Sequence, residues 1–192
     1  MTKLAILSFS FLIILLRAIA FFIGAERQRR KKLLFASDAE LPFVSVIIPA
    51  RNEEQNIRNC VESVFENNYP KNRFEIIVVN DRSEDNTAQV LDECKKEFSN
   101  LKVVTITEAT KHHNLKGKPG ALQEGAEVAS GEIFLFTDAD CTVGNNWLSK
   151  IVAAFSDKNV GIVPSFTTIK AHNFFERLQG VEWIYMHTLA SG

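Results

Sequence analysis

The chain has no Cys-x-x-Cys pair. Its three cysteines, Cys60, Cys94 and Cys141, form an odd, widely spaced set, which excludes a disulfide framework and a structural zinc site and fits a reducing compartment. It also lacks a Walker-type loop and a Gly-x-Gly-x-x-Gly after its first strand pattern, so neither usual phosphate cradle is present and phosphate charge has to be met another way. A basic surface is missing as well. The formal net charge is −1, and seven of the Lys/Arg residues fall within residues 1–32 beside one acid, Glu26. Beyond residue 32 the chain holds 15 basic and 22 acidic residues, a net charge of −7 that matches nucleic acid poorly. What the chain does have is apolar residues: 46% of its 192 positions, enough to bury the core of one ordinary domain with an appendage.

Leu4–Gly24 is apolar apart from two serines and Arg17. At about 1.5 Å per residue it spans about 30 Å, the thickness of a bilayer's hydrocarbon core. The basic run RQRRKK follows at once and favours the cytoplasmic side. We therefore expect a single-pass transmembrane anchor over 1–25, a basic juxtamembrane linker over 26–42, and the rest of the chain at the cytoplasmic face of a membrane. A cleaved signal peptide would carry its charges before the apolar run, not after it. Arg17 leaves room for a segment lying in the interface or packed on another helix.

After Pro42 a repeating pattern begins. VSVIIPA (44–50), FEIIVVND (74–81), LKVVTI (101–106) and GEIFLFTDAD (131–140) read as strands, and GIVPSF (161–166) as a fifth that Pro164 pushes toward an edge. Between them, helical spacing links Ile57, Cys60, Val61, Val64 and Phe65, then Ala88, Leu91, Cys94 and Phe98. Small residues Ala121, Gly125, Ala126 and Ala129 predict a helix packed tightly on the sheet, and Leu148, Ile151, Val152 and Phe155 a further one. Asn52 with Gln55 suits a helix cap, as does Asn173 before Phe174 and Phe175. The alternation implies an α/β fold, a mostly parallel sheet buried under helices on both faces. Ligands of such sheets bind at the carboxyl ends of the strands. Those ends are polar here: Pro49-Ala50-Arg51-Asn52-Glu53, Asn80-Asp81-Arg82-Ser83, and Asp138-Ala139-Asp140.

Asp138 and Asp140, two residues apart in an extended chain, point the same way. Two such anions repel unless a cation accompanies them, and a hard divalent ion, Mg²⁺ or Mn²⁺, completed by phosphate oxygens and water, fits. The other reading of the pair is a solvated turn.

VSVIIPARNEEQNI, EIIVVNDRSEDNT, KGKPGAL and FTDAD, in this order and at these distances, resemble the nucleotide-sugar-binding half of glycosyltransferase family 2 over about residues 43–190. The resemblance implies a GT-A, Rossmann-like fold and an inverting transfer of sugar from a nucleoside diphosphate sugar, and the expected place at a cytoplasmic membrane face points to a lipid or polysaccharide acceptor. It places Ala50, Arg51 and Glu53 at the nucleoside, Asp81 at the base or ribose, Lys118 at the pyrophosphate with Lys116 as its neighbouring alternative, and the metal at Asp138 and Asp140, with Asp138 also facing the donor. The metal would then neutralise the diphosphate as it leaves. Family members carry their general base well downstream, so we expect 43–192 to be a family domain truncated at its C-terminus, with the base beyond Gly192. The late acids Glu176 and Glu182 read as helix-surface residues, His112 and His113 as surface loop, Cys141 as a small packed residue, and Trp183 and Tyr185 equally as interfacial or core. Two rivals remain: a membrane-tethered nucleotide-sugar-binding fragment without turnover, and a haloacid-dehalogenase-type phosphatase, whose D-x-D-x-T-V motif FTDADCTV also matches. In the latter Asp138 is a nucleophile and Asp140 an acid, but that fold sets the motif on its first strand.

Overall fold

A computed structural model describes residues 15, 16, 19, 41–107, 115, 117–165, 167, 168 and 173–176. The chain divides into two units, Leu33–Gly161 on one hand and Met1–Lys32 with Ile162–Gly192 on the other. The regular architecture described here belongs to the first. Strands β1 (Val44–Ala50), β2 (Phe74–Asp81), β3 (Leu101–Ile106) and β4 (Ile133–Phe136) alternate with helices α1 (Ile57–Phe65), α2 (Thr87–Glu97), α3 (Lys118–Val128) and α4 (Trp147–Ala154).

Every strand pair is parallel and the order across the sheet is β3-β2-β1-β4. The chain thus steps outward from β1 to β3, then returns past β1 to lay down β4. Because crossovers between parallel strands are right-handed, reversing the direction of travel moves the connecting helix to the opposite face. The two clusters of buried side chains show this. Val46, Ile48, Ile76 and Val78 pack with Val61 of α1, Leu91 of α2 and Leu148 of α4. Their neighbours in sequence, Ile47, Ile77 and Val79, turn to the other face and meet Ala121 of α3. The small residues of α3 permit that contact: a Cβ added to Gly125 would lie 2.5 Å from Ile47 Cγ2.

A polar tie fastens the opposite end of the sheet from the ligand edge. Glu75 is buried, and its Oε1 accepts from Ser45 Oγ at 2.6 Å and from Ser130 N at 2.7 Å, while Lys102 Nζ pairs with its Oε2. Gly131 N in turn donates to Ser45 Oγ at 2.9 Å, so the entry to β4 is held on β1 and β2.

Several expectations need correcting. Residues 161–165 form no strand, and Ile162 is 85% exposed. Gly161 and Pro164 both weaken pairing there, one by backbone freedom and one by its missing N–H. β4 is not buried on both faces: α3 lies over β1 and β2, which leaves Phe134 and Phe136 41% and 51% exposed. Asn52 does not cap α1, which starts at Ile57 after an Asn56 that makes no side-chain cap bond. Asn52 instead sits at φ +56°, a conformation asparagine tolerates better than most residues, and its Oδ1 accepts from Glu84 N. In α2 the buried stripe begins at Thr87, not Ala88, which is exposed.

The expected anchor and linker lie outside the described residues, except for Leu15, Leu16 and Ile19, which are helical and exposed, and Leu41 and Pro42. Among the described residues no helix is long and apolar enough to cross a membrane. In the second unit Asn173 does cap the turn after it: Glu176 N donates to Asn173 Oδ1 at 2.9 Å and Asn173 Nδ2 donates to Glu176 Oε1 at 2.8 Å.

Candidate functional site

The register fixes where the strands stop. Ala50 pairs with Asn80, so β1 and β2 end side by side, whereas β4 ends at Phe136 opposite Ile47, three residues short of the end of β1. Pro49, which has no N–H to give, therefore lies past the last β1–β4 pair. A crevice results at the point where the strand order reverses, the usual ligand position in such sheets. A cavity of about 380 Å³ opens there.

Each wall comes from a different element. Pro49, Ala50, Arg51 and Glu53 follow β1, Asp81 ends β2, Gly117, Lys118 and Ala121 open α3, and Asp138, Ala139 and Asp140 follow β4. All seven residues singled out in the sequence, Ala50, Arg51, Glu53, Asp81, Lys118, Asp138 and Asp140, thus line one cavity. Lys116, His112, His113, Glu182, Trp183 and Tyr185 lie outside the described residues, and Glu176 belongs to the second unit.

The acid pair reaches the cavity by a route the pleat does not supply. Asp138 and Asp140 are not alternate residues of a strand, because β4 has already ended. Cys141 N donates to Asp138 O at 3.1 Å and closes a turn in which Ala139 is buried and both aspartates are exposed. Once pairing with β1 runs out, the backbone groups of this segment must find local partners. Cys60 Sγ, from α1 beneath, also donates to Asp138 O at 3.4 Å. Burial, and then the neighbouring Cys141 and the carboxylates of Asp140 and Asp138, push the Cys60 thiol up to about 12, so it remains a protonated donor.

Cations meet this charge in part. Lys118 Nζ is 2.6 Å from Asp138 Oδ1. Asp81 is buried and its Oδ1 accepts from Arg82 Nε at 2.7 Å, with Arg82 held at φ +53°. Helix α3 begins at the cavity with Pro119 in its first turn, and Gly117 at its cap position has no side chain to hydrogen-bond its first N–H groups. A helix N-terminus carries partial positive charge and suits an anion. Among the described residues no three His, Cys, Asp or Glu side chains gather to hold a metal alone. Asp138 and Asp140 are nonetheless hard oxygen donors on one turn, and a divalent ion that keeps water and phosphate oxygens in its shell needs only one or two protein carboxylates.

Gly117, Ala121 and Ala139 line the cavity without having been singled out as site residues, Ala121 having been read only as a helix-packing position. Gly117 precedes Lys118-Pro119 at φ +66°, a backbone conformation that other residues rarely adopt.

The chain is 36% identical over 157 residues to the probable glycosyltransferase YdaM of Bacillus subtilis, covering 80% of this chain and 36% of that protein. It is 36% identical over 124 residues to the beta-monoglucosyldiacylglycerol synthase of Trichormus variabilis, covering 64% of this chain and 25% of that one. Among solved structures, the mannosyltransferase PcManGT from Pyrobaculum calidifontis, in complex with GDP-Man and Mn²⁺, superposes with a TM-score of 0.58 at 28% identity, covering 76% of this chain and 41% of that chain. The chain spans between a quarter and two fifths of the length of these proteins. The sequence pattern of Glycosyl transferase family 2 matches residues 45–190, most of the chain, and the protein belongs to that family.

Proposed function

We propose that this chain binds a nucleoside diphosphate sugar and belongs to an enzyme that transfers the sugar, with inversion, to a lipid or polysaccharide acceptor. The observation that carries the reading is the convergence of Arg51, Asp81, Lys118, Asp138 and Asp140, from four separate elements, on one cavity at the point of strand reversal. On this reading Arg51, Glu53 and the backbone at Ala50 face the nucleoside, and buried Asp81 accepts a hydrogen bond from the base or ribose. Lys118 and the first N–H groups of α3 hold the diphosphate. Asp138 and Asp140 hold Mg²⁺ or Mn²⁺, which when bound neutralises the diphosphate and favours its departure. Asp138 and Asp140 flank the buried Ala139 and both line the cavity, which supports this reading.

Inversion by a single displacement also requires a base for the acceptor's proton. Glu53 and Asp81 lie on the nucleoside side and Asp138 and Asp140 on the diphosphate side, so the base is supplied from outside this cavity. The phosphatase reading has no comparable support: the D-x-D turn follows the fourth strand, whereas that reading sets the motif on the first. The name of the Trichormus relative supports a lipid acceptor, and the Pyrobaculum structure supports Mn²⁺. The apolar run Leu4–Gly24 and the basic residues after it support attachment at a cytoplasmic membrane face.

Calorimetry tests the reading directly. UDP and GDP are titrated into the chain with and without Mn²⁺, and the same is done for Asp140→Ala. Nucleotide and metal should each tighten the binding of the other, and the substitution should abolish that coupling. Coupling that survives Asp140→Ala removes the metal assignment, and no nucleotide binding by the folded chain removes the donor assignment.

A further inference from the structure

Three consecutive backbone N–H groups of the loop between β1 and α1 end on side chains of the loop between β2 and α2 and of the first residue of α2. Asn52 N donates to Ser83 Oγ at 3.0 Å, Glu53 N to Thr87 Oγ1 at 2.8 Å and Glu54 N to Asp85 Oδ2 at 3.1 Å. The ties also run back: Glu84 N donates to Asn52 Oδ1 at 2.8 Å, and Asn86 N to Glu54 Oε2 at 2.9 Å. None of Ser83, Asp85 and Thr87 lines the cavity, but Arg51 and Glu53, on the loop they hold, both do.

Thr87 is the centre of this arrangement. It is fully buried, and its hydroxyl gives its proton to Asp85 Oδ1. Only a lone pair is then left for Glu53, so the hydroxyl is oriented as an acceptor before any ligand arrives. Asp85 stays able to receive that proton. Burial raises its carboxyl, but hydrogen bonds from the Thr87 side chain and from the backbone of Thr87 and Glu54 outweigh this and hold it below the ordinary range. Asn52, next to Arg51, is at φ +56°, which few residues adopt unless their surroundings impose it. Releasing the N–H groups at 52–54 frees that residue to return to a commoner conformation and carries Arg51 and Glu53 out of place. Lys118, Asp138 and Asp140 stand on α3 and the turn after β4, so they keep their positions.

We infer that Thr87 and Asp85 are positioning residues for the nucleoside half of the donor site, acting through the backbone of Asn52–Glu54 without touching the ligand. This rests on the reading of the cavity as a nucleoside diphosphate site. A nucleotide gains affinity when the loop that meets it is already ordered, since the cost of ordering is then not charged to binding.

The test compares wild type with Thr87→Val, Thr87→Ser and Ser83→Ala. Three quantities are measured: hydrogen exchange of the amides at 52–54, affinity for UDP and GDP with Mn²⁺, and affinity for inorganic pyrophosphate with Mn²⁺. Thr87→Val should speed exchange at Glu53 and weaken nucleotide binding on the order of tenfold, the effect of one hydrogen bond, while leaving pyrophosphate unchanged. Thr87→Ser should restore both. Ser83→Ala, at a half-exposed position, should give a smaller loss by freeing Asn52 N, and it keeps the test alive if Thr87→Val does not fold. Nucleotide affinity unchanged in both Thr87→Val and Ser83→Ala, or pyrophosphate lost in equal measure with no rescue by serine, would overturn the inference and leave the donor reading standing. A wild type that binds neither nucleotide would overturn both.

Discussion

Lys118 Nζ stands 2.6 Å from Asp138 Oδ1, so the paired aspartates already face a cation that the chain itself supplies. Both partners are more than half exposed, and an ion pair of that kind contributes about 0–1 kcal/mol. It is therefore weak enough to exchange: the ammonium can pass to a phosphate and leave the carboxylate to a metal ion. The residue that occupies the acid pair in the free protein is the one proposed to hold the diphosphate.

Lys118→Met separates those roles. Mn²⁺ alone should bind more tightly than to wild type, by no more than about fivefold given the small value of an exposed pair. UDP or GDP with Mn²⁺ should bind about ten- to a hundredfold more weakly, the usual effect of losing a hydrogen bond to a charged group. Electron paramagnetic resonance of free Mn²⁺ reads the first quantity and calorimetry the second. Two changes of the same sign would show that Lys118 does not alternate between the partners.

The tie at the far end of the sheet gives a pH signature in stability. Burial raises the Glu75 carboxyl, but the hydrogen bonds from Lys102, Ser45 and Ser130 outweigh it and set the folded value below the ordinary one. A depressed carboxyl contributes stability above its unfolded value, about 4.3, and loses that contribution as pH falls through the folded value. Lys102 is half exposed, which limits the contribution to about 1–3 kcal/mol. Glu75→Gln should therefore be less stable than wild type by that amount at pH 7 in urea unfolding, and the gap should close below pH 4. A gap that persists unchanged at low pH would mean that packing, not ionisation, is responsible.

Gly125→Ala tests the face under α3. The added Cβ would lie 2.5 Å from Ile47 Cγ2 and 3.1 Å from Val79 Cγ2, and both belong to buried strand residues with nowhere to move. Helix propensity favours alanine by about 1 kcal/mol, while overpacking costs about 1–3 kcal/mol. The second should win, with a net loss of about 1–2 kcal/mol in denaturant unfolding. A more stable variant would show that α3 can slide off the sheet at little cost.

These cases mark how far the sequence was legible. The first three strands read correctly to the residue: each is a β-branched run of strand length, and in FEIIVVND every position is buried, the polar Glu75, Asn80 and Asp81 included. The close approach of α3 was readable in the small side chains of Ala121 and Gly125. Reading failed where partners distant in sequence decide the outcome. Asn52 has the composition of a helix cap, but Ser83 and Glu84, some thirty positions later, take its hydrogen bonds. Thr87 is a polar residue at a position that spacing alone gives to Ala88, and its burial follows from Asp85 and Glu53 together. The D-x-D pair was identified by type, while its geometry depended on where β1 stops pairing with β4, which no local pattern records.

Gly117 carries the last prediction, because its conformation can be tested by chirality. It precedes Lys118 at φ +66° and ψ −148°, the mirror image of the extended conformation that L-residues favour near −66° and +148°. Among the described residues, no heavy atom beyond its chain neighbours lies within 4 Å of the place where a Cβ would stand, so a side chain there meets backbone strain rather than a clash. Strain of this kind costs on the order of 1–3 kcal/mol, and the chain can escape it by rotating the entry to α3, which takes Lys118 away from Asp138. Gly117→Ala should thus weaken nucleoside diphosphate binding about tenfold with a smaller change in melting temperature. Gly117→Asn should behave like alanine, since the left-handed conformation asparagine tolerates has a positive ψ near +47° and this site does not. D-alanine at 117, introduced by chemical ligation, adopts the required angles without strain and should bind as glycine does. Equal losses with L- and D-alanine would mean that the methyl group itself obstructs the ligand, and the strain account of Gly117 would be wrong.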